Sequence, residues 1–320
     1  MSVLKNARWM SWVAVLACGI HGSRAWALEH PPLDSPQSIA VHLSLLVTWQ
    51  EQDGEWPYEG VYRVGGKIPI GYRVGGTGIC ARALIEAPDF LEDAPRREAV
   101  ERGFAFIKEH LGDPSMDPAK ARGYDVRGWG WIYALHFFLR YKELAYAPKA
   151  DREALEEGVQ KCVKGLASME LKSGGWSYSN AGGGPAISFM TGPGLQALFL
   201  AKKMGYEVNE ALLLRGLKAL ERGRAPNGAF QYVLGGRARN SSSGQDSPPG
   251  ALARSPVAEA TLMLAGRSSP ARLSAAVNMF LEHWKWLKPR YQGQGTHVPP
   301  HGIAPYYVMF ARNYSGLPCQ

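Results

Sequence analysis

Charge, cysteine and long apolar runs are all scarce in this 320-residue sequence. Only 20% of its residues are Asp, Glu, Lys or Arg, too few for a coiled coil or a charge-rich disordered tail. The leading apolar stretch, Trp9–Ile20, falls short of the ~20 residues that span a bilayer. Four scattered cysteines make neither a disulfide framework nor a Cys-x-x-Cys zinc pair. Strand-like alternation is confined to Val61–Val64 and Phe230–Leu234, so an all-β fold is excluded. The net charge of +8 reads as spread along the chain, with no Lys/Arg block interleaved with aromatics, which argues against a nucleic-acid partner.

What the sequence does hold is 37 Gly, 22 Pro and ten Trp, as many Trp as Phe. A Trp surplus suggests stacking at turns or an aromatic ligand cavity. At the N-terminus, Lys5 and Arg8 precede the apolar stretch, and Ala25-Trp26-Ala27 has the small-x-small form of a signal-peptidase site. Residues 1–27 are therefore read as a cleaved export signal and residues 28–320 as a single mature domain, placed in the periplasm or outside the cell. An alternative cleavage at Val15-Leu16-Ala17-Cys18 resembles a bacterial lipobox and would leave Cys18 lipidated. Cys80, Cys162 and Cys319 remain; one bridge among them is possible in an oxidising compartment, and otherwise Cys80 and Cys162 read as buried small hydrophobes on helices.

Internal repeats organise the rest. A basic residue, a Gly and an apolar residue recur at Arg102-Gly103-Phe104, Lys164-Gly165-Leu166 and Arg215-Gly216-Leu217. Turns of Gly-x-aromatic form recur at Gly54-Glu55-Trp56, Gly174-Gly175-Trp176 and Gly228-Ala229-Phe230. Their spacing implies a period of fifty to sixty residues in which one copy, near Asp113–Asp117, has lost its aromatic turn.

Each period divides into two helices. An amphipathic set is expected near Ile39–Trp49, Arg97–Leu111, Arg152–Leu171, Glu210–Arg222 and Arg272–Leu287. A second set, Gly78–Ala87, Trp129–Leu144, Gly194–Met204, Val257–Ala265 and Ile303–Arg312, is apolar around most of its circumference. Gly76, Gly78, Gly128, Pro193, Gly194, Pro256 and Gly302 are expected to supply the loops and first turns of this set. The fold class is all-α, and alternating outer and inner helices close most naturally into an α/α toroid of about five helix pairs around a central cavity.

Gln50-Glu51-Gln52-Asp53-Gly54-Glu55-Trp56 resembles the Gln-x-x-x-Gly-x-Trp turn of the prenyltransferase and squalene (terpenoid) cyclase repeat family, and Lys164-Gly165 through Gly175-Trp176 is similar to a version with the Gln replaced. The resemblance covers nearly all of the mature chain, ending in a remnant at Tyr291-Gln292-Gly293. In that family the Gln and Trp tie neighbouring repeats together. The resemblance implies a toroid and an apolar, isoprenoid-like ligand. The Asp-x-Asp-Asp acid of class II cyclases is absent, as are the Asp-x-Cys pairing of protein prenyltransferases and the Gly-Cys-Gly-Glu-Gln of thioester domains. Asp113-Pro114-Ser115-Met116-Asp117 reads as a solvated turn.

Several polar residues remain as site candidates. Glu259 interrupts an apolar helix, so it must either pair, for instance with Arg82, or act as a cavity acid. Asp125, at the entrance of the second inner helix, is a candidate general acid, and Tyr124, Arg127, Trp129 and Trp131 around it are candidate ligand contacts. His301 and Tyr307 are further acid/base candidates, with His297 and Tyr306 beside them. Pro299-Pro300 rules out one helix through both histidines. Cys80, Asp125 and His301 all fall near inner-helix starts and could supply three zinc ligands with an open fourth position; no other cofactor is indicated.

Three functions follow. The first is an exported cyclase-like toroid that binds a hydrophobic molecule in an aromatic cavity. The second is a polysaccharide lyase or hydrolase using a carboxylate, Tyr or His among Trp platforms. The third is a non-catalytic interaction module. The partners are accordingly a hydrophobic small molecule or a glycan, with no nucleic acid and with membrane contact only through export or an anchor at Cys18. The Gly/Ser/Pro segment Leu234–Ala251 reads as a flexible excursion or a lid.

Overall fold

The computed structural model describes residues 36–56, 66–120, 126–178, 184–290, 297–304, 307 and 310. Among them the chain is all-helical: eleven α-helices, no strand, and three isolated bridges. The helices are α1 Pro36–Thr48, α2 Ile70–Glu86, α3 Ala94–His110, α4 Arg127–Glu143, α5 Arg152–Ser168, α6 Ser188–Lys203, α7 Glu210–Arg222, α8 Pro248–Ala251, α9 Arg254–Leu264, α10 Pro270–Glu282 and α11 Trp284–Leu287. No helix among the described residues is long and apolar enough to cross a membrane.

Local chemistry sets the boundaries. The Asp93 carboxylate accepts from the Arg96 amide at 3.0 Å with Pro95 behind it, which starts α3. Ser269 and Pro270 start α10 in the same way. On α5, Leu155, Val159, Cys162, Val163 and Leu166 are all buried, one helical stripe with Glu and Lys between.

The chain forms two compact units. One contains Leu46–Ala186 and Pro193–Lys218, the other Ile187–Gly192 and Ala219–Gln320 with the segment up to Leu45. In the first, α2 and α4 pack backbone against backbone. A Cβ at Gly71 would lie 2.0 Å from the Val126 carbonyl oxygen, at Gly75 2.3 Å from the Trp129 indole, and at Gly78 2.6 Å from the Tyr133 carbonyl oxygen. Only hydrogen fits at these three positions. This corrects the expectation that Gly76 and Gly78 precede the helix: α2 begins at Ile70, and its glycines are interior contact points. Likewise α6 begins at Ser188, so Pro193 and Gly194 lie inside it, and α9 begins at Arg254, which puts Pro256 in its first turn. The expected outer helix Arg272–Leu287 is divided at His283 into α10 and α11. Ile303 is bridge-paired with Val298 and does not start a helix. Of the helix expected after it, only Tyr307 and Phe310 are described, both helical. Phe230–Leu234 contributes only isolated bridges, and Val61–Val64 lies outside the described residues.

The three Gly-x-aromatic turns are built alike. Glu51 and Glu55, Leu171 and Gly175, and Ala225 and Ala229 are each joined by an amide-to-carbonyl bond, at 2.9, 3.0 and 2.8 Å. Gly54, Gly174 and Gly228 donate back to Glu51, Leu171 and Ala225 and have left-handed φ of 92°, 84° and 84°. A side chain there is strained. In the first two copies it would also meet a carbonyl oxygen, that of Arg102 or Arg215, at 2.5 Å. The Trp56 indole donates to Leu46, ten residues back, at 2.7 Å; Trp176 donates to Leu166, also ten back, at 2.8 Å. Gln50 joins Arg102 at 2.5 Å, and Glu170 takes the same role toward Arg215, with Nε donating at 2.8 Å.

The degenerate copy is repaired from elsewhere. A Cβ on Gly103 would stand 2.9 Å from the Trp56 ring, and one on the equivalent Gly165 would stand 2.8 Å from the Trp131 ring. Trp131 comes from the inner helix α4, and its indole donates to the Met116 carbonyl at 3.1 Å. An indole thus covers the outer-helix glycine in both places, although the turn at Asp113–Met116 carries none.

Candidate functional site

One buried polar centre of the second unit is Arg254, which opens α9 and is 1% exposed. Its Nε donates to Phe230 O and its Nη1 to Gly250 O, both at 2.8 Å, and its Nη2 reaches Gln245 O and the Asp246 carboxylate. Asp246 also accepts from the Tyr232 amide at 2.7 Å. Burying a guanidinium without such partners would be prohibitive. Arg254 therefore fixes the end of the Gly/Ser/Pro segment, and residues 244–251 form a built loop around a buried cation.

The turn at 297–303 docks on this loop. The Gly244 amide donates to Pro300 O at 3.0 Å, and Ser247 Oγ lies 3.0 Å from His301 Nδ1. Because the Ser247 hydroxyl donates its single proton to Gly244 O at 2.7 Å, His301 Nδ1 carries the proton of that pair. His297 Nδ1 lies 2.7 Å from Gly302 O and must also be protonated. Both rings thus place their acceptor nitrogen at Nε2 when neutral. Partial burial and the charge of His283 hold the His301 pKa below its ordinary value. Tyr307 is fully buried, with its hydroxyl 3.5 Å from His297 Nδ1. Around them, Phe189 packs on Tyr307 at 4.7 Å and Phe310 at 4.4 Å, while Tyr232 meets His297 edge-on at 5.7 Å.

The structure brings His297 and Tyr307 together and sets His301 against Ser247 and Trp286. It gives Glu259 a structural partner. The Glu259 side chain is 2% exposed, Arg224 Nε lies 2.5 Å from Oε1, Arg224 Nη2 donates to Oε2 at 2.7 Å, and Ser268 donates to Oε2 at 2.5 Å. The partner is Arg224, not Arg82. Arg82 instead donates to Glu86 at 3.0 Å within α2.

In the first unit the candidate aromatic wall is consumed by packing. Every residue of Arg127–Leu139 is buried. Trp129 lies on Gly75 and packs against Tyr133 in a tilted arrangement at 4.5 Å. Trp131 covers Gly165, and Arg127 is tied to Asp117 O. Tyr124, Asp125 and Tyr306 lie outside the described residues. Cys80 is a buried free thiol whose pKa burial pushes well up, which disfavours the thiolate that zinc requires. Among the described residues no group of three or more His, Cys, Asp or Glu could hold a metal ion.

Sequence reasoning missed two polar centres. One is Arg254, signalled only by its place at the head of an apolar helix. The other is His136, 5% exposed in the middle of α4. Its Nε2 donates to Pro193 O at 3.1 Å, and Nδ1 faces Arg82 Nη1 at 3.4 Å. Burial, then the Arg82 charge, lowers its pKa to about 3, so it is a neutral structural hydrogen-bonding group. No protein-family model and no curated protein matches the chain.

Proposed function

We propose that this chain is an exported, non-catalytic binding module, built over residues 28–320 as an α/α toroid of the terpenoid-cyclase/prenyltransferase repeat type. The three equivalent turns at Gly54, Gly174 and Gly228 support that repeat type. The observation that carries the non-catalytic reading is the engagement of Glu259 by Arg224 and Ser268 in a buried setting. With Arg224 on both carboxylate oxygens and Ser268 on one of them, this side chain is committed to structural contacts and is not presented to an alkene or a glycosidic oxygen. The test is product analysis by mass spectrometry after incubation with squalene, oligoprenyl diphosphates and anionic polysaccharides. Unchanged substrates are expected. Turnover of any of these substrates by the wild-type protein would overturn the reading, and its loss in Glu259→Gln would make Glu259 the acid.

A second reading, a hydrophobic ligand bound without chemistry, is favoured by the aromatic group Phe189, Tyr232, Tyr307 and Phe310. Solvent extraction of the exported protein and native mass spectrometry test it: a co-purifying isoprenoid supports it, while a protein that arrives empty and takes up no added polyprenol rejects it. Export itself is tested by N-terminal sequencing, with Leu28 expected as the mature start, against a lipid-modified Cys18 as the alternative.

A further inference from the structure

The positive charge is not spread along the chain as its total suggests. Residues 28–218 hold 22 Lys or Arg against 24 Asp or Glu, whereas residues 219–320 hold eleven against four. Residues 260–320 hold six against one, Glu282. Within this stretch Trp284-Lys285-Trp286-Leu287-Lys288-Pro289-Arg290 interleaves aromatic and basic side chains, a pattern that the overall charge conceals.

The structure sorts these side chains by face. On α11 Leu287 is fully buried and holds the helix down. Lys285 and Lys288 are exposed, and Trp286 leaves 38% of its surface in solvent. The Trp286 ring is held edge-on at 4.7 Å by His301, which is itself fixed by the buried Ser247. Lys285 Nζ lies 5.8 Å from the centre of the Trp286 ring. On the preceding helix, Leu281 is 62% exposed and Arg272 is exposed.

We infer that the α11 surface docks on an anionic phospholipid bilayer. The charge is complementary to such a leaflet, and each Lys or Arg near it contributes attraction. The apolar side chains decide between lipid and a soluble polyanion. An indole exposed between lysines gains from the headgroup boundary, where its ring is dehydrated while the ammonium groups reach back to phosphate. A dissolved polyanion offers no such apolar layer. The contact is peripheral, separate from any anchor at Cys18, and does not depend on what the rest of the molecule binds.

The test uses the full-length exported protein carrying Cys18→Ala, so that no acyl chain contributes, in co-sedimentation with vesicles. Binding is expected to vesicles of phosphatidylglycerol with phosphatidylcholine and not to phosphatidylcholine alone, and it should weaken as salt rises from about 0.1 M to about 0.5 M. Lys285→Ala with Lys288→Ala should lower the partition coefficient roughly 25-fold, the effect of removing two cations. Trp286→Ala should lower it severalfold with the salt dependence kept. All three changes lie on exposed side chains, and circular dichroism of each variant is the check that folding is retained. No binding to anionic vesicles, or binding unaffected by both variants, overturns the inference. Equal binding to heparin that Trp286→Ala leaves unchanged overturns it in favour of a polyanion.

Discussion

Trp131 covers Gly165 so closely that a Cβ on the glycine would lie 2.8 Å from the indole. Gly165→Ala should therefore destabilise the protein by about 1–3 kcal/mol, since the ring is 2% exposed and has nowhere to move. The double variant Gly165→Ala, Trp131→Leu should recover part of that loss by removing the clash. Urea denaturation of the four-member cycle measures both; additivity of the two changes would show that the contact is not the cause.

Glu259 and Arg224 form the second prediction. Glu259→Leu leaves a guanidinium without its carboxylate and should cost about 3 kcal/mol, whereas Arg224→Met with Glu259→Leu should cost clearly less. A double-mutant cycle by thermal or urea unfolding reads the difference. If the double variant is as unstable as the sum of the singles, the pair is not coupled.

Arg254 holds four acceptors, three of them backbone carbonyls. Arg254→Met should free residues 244–251, exposing them to limited proteolysis at rates at least tenfold above wild type, while helices distant from the loop keep their amide protection. Cleavage no faster than in the wild type would mean that the loop is held by other contacts.

His136 links stability to pH. Its folded pKa is lowered to about 3 by burial and by Arg82, below the ~6.5 of an unfolded histidine. A depressed value in the folded state means that the unfolded chain binds the extra proton. The stabilisation is complete above about pH 6.5 and declines as pH falls toward 3, by up to ~1.4 kcal/mol per pH unit. In His136→Gln that part of the slope should disappear. Stability curves of the two proteins that stay parallel between about pH 6 and 4 would reject the assignment.

Much of this fold was legible in the sequence because its signals are local. The turn glycines needed a left-handed φ, which Gly54, Gly174 and Gly228 announce through their Gly-x-aromatic neighbours, and all three proved equivalent. The amphipathic helices α3, α5 and α7 lie close to where their apolar stripes put them. Helix starts were less legible. Gly76, Gly78, Pro193 and Gly194 look like loop residues, yet they are helix-interior positions. At Gly71, Gly75 and Gly78 a neighbouring helix demands the missing side chain, a requirement that no local pattern encodes.

The candidate site fared differently from the fold. Trp129 and Trp131 were expected to face a ligand, but a Trp that packs on a glycine and a Trp that lines a cavity have the same sequence pattern. Glu259 was recognised as needing a partner, with Arg82 as the example, but the partner is Arg224, because pairing depends on where the chain brings each guanidinium.

By itself the sequence determined the helical class, the repeating turn and the groups whose burial would demand partners, because each depends on backbone geometry or side-chain chemistry within a few residues. Only the tertiary structure decided that Trp131 replaces a missing turn aromatic, that Arg254 fixes the Gly/Ser/Pro segment, and that α11 turns Trp286 and its lysines outward. Those outcomes depend on contacts between residues far apart in the chain, where distance and direction, not composition, set the energy.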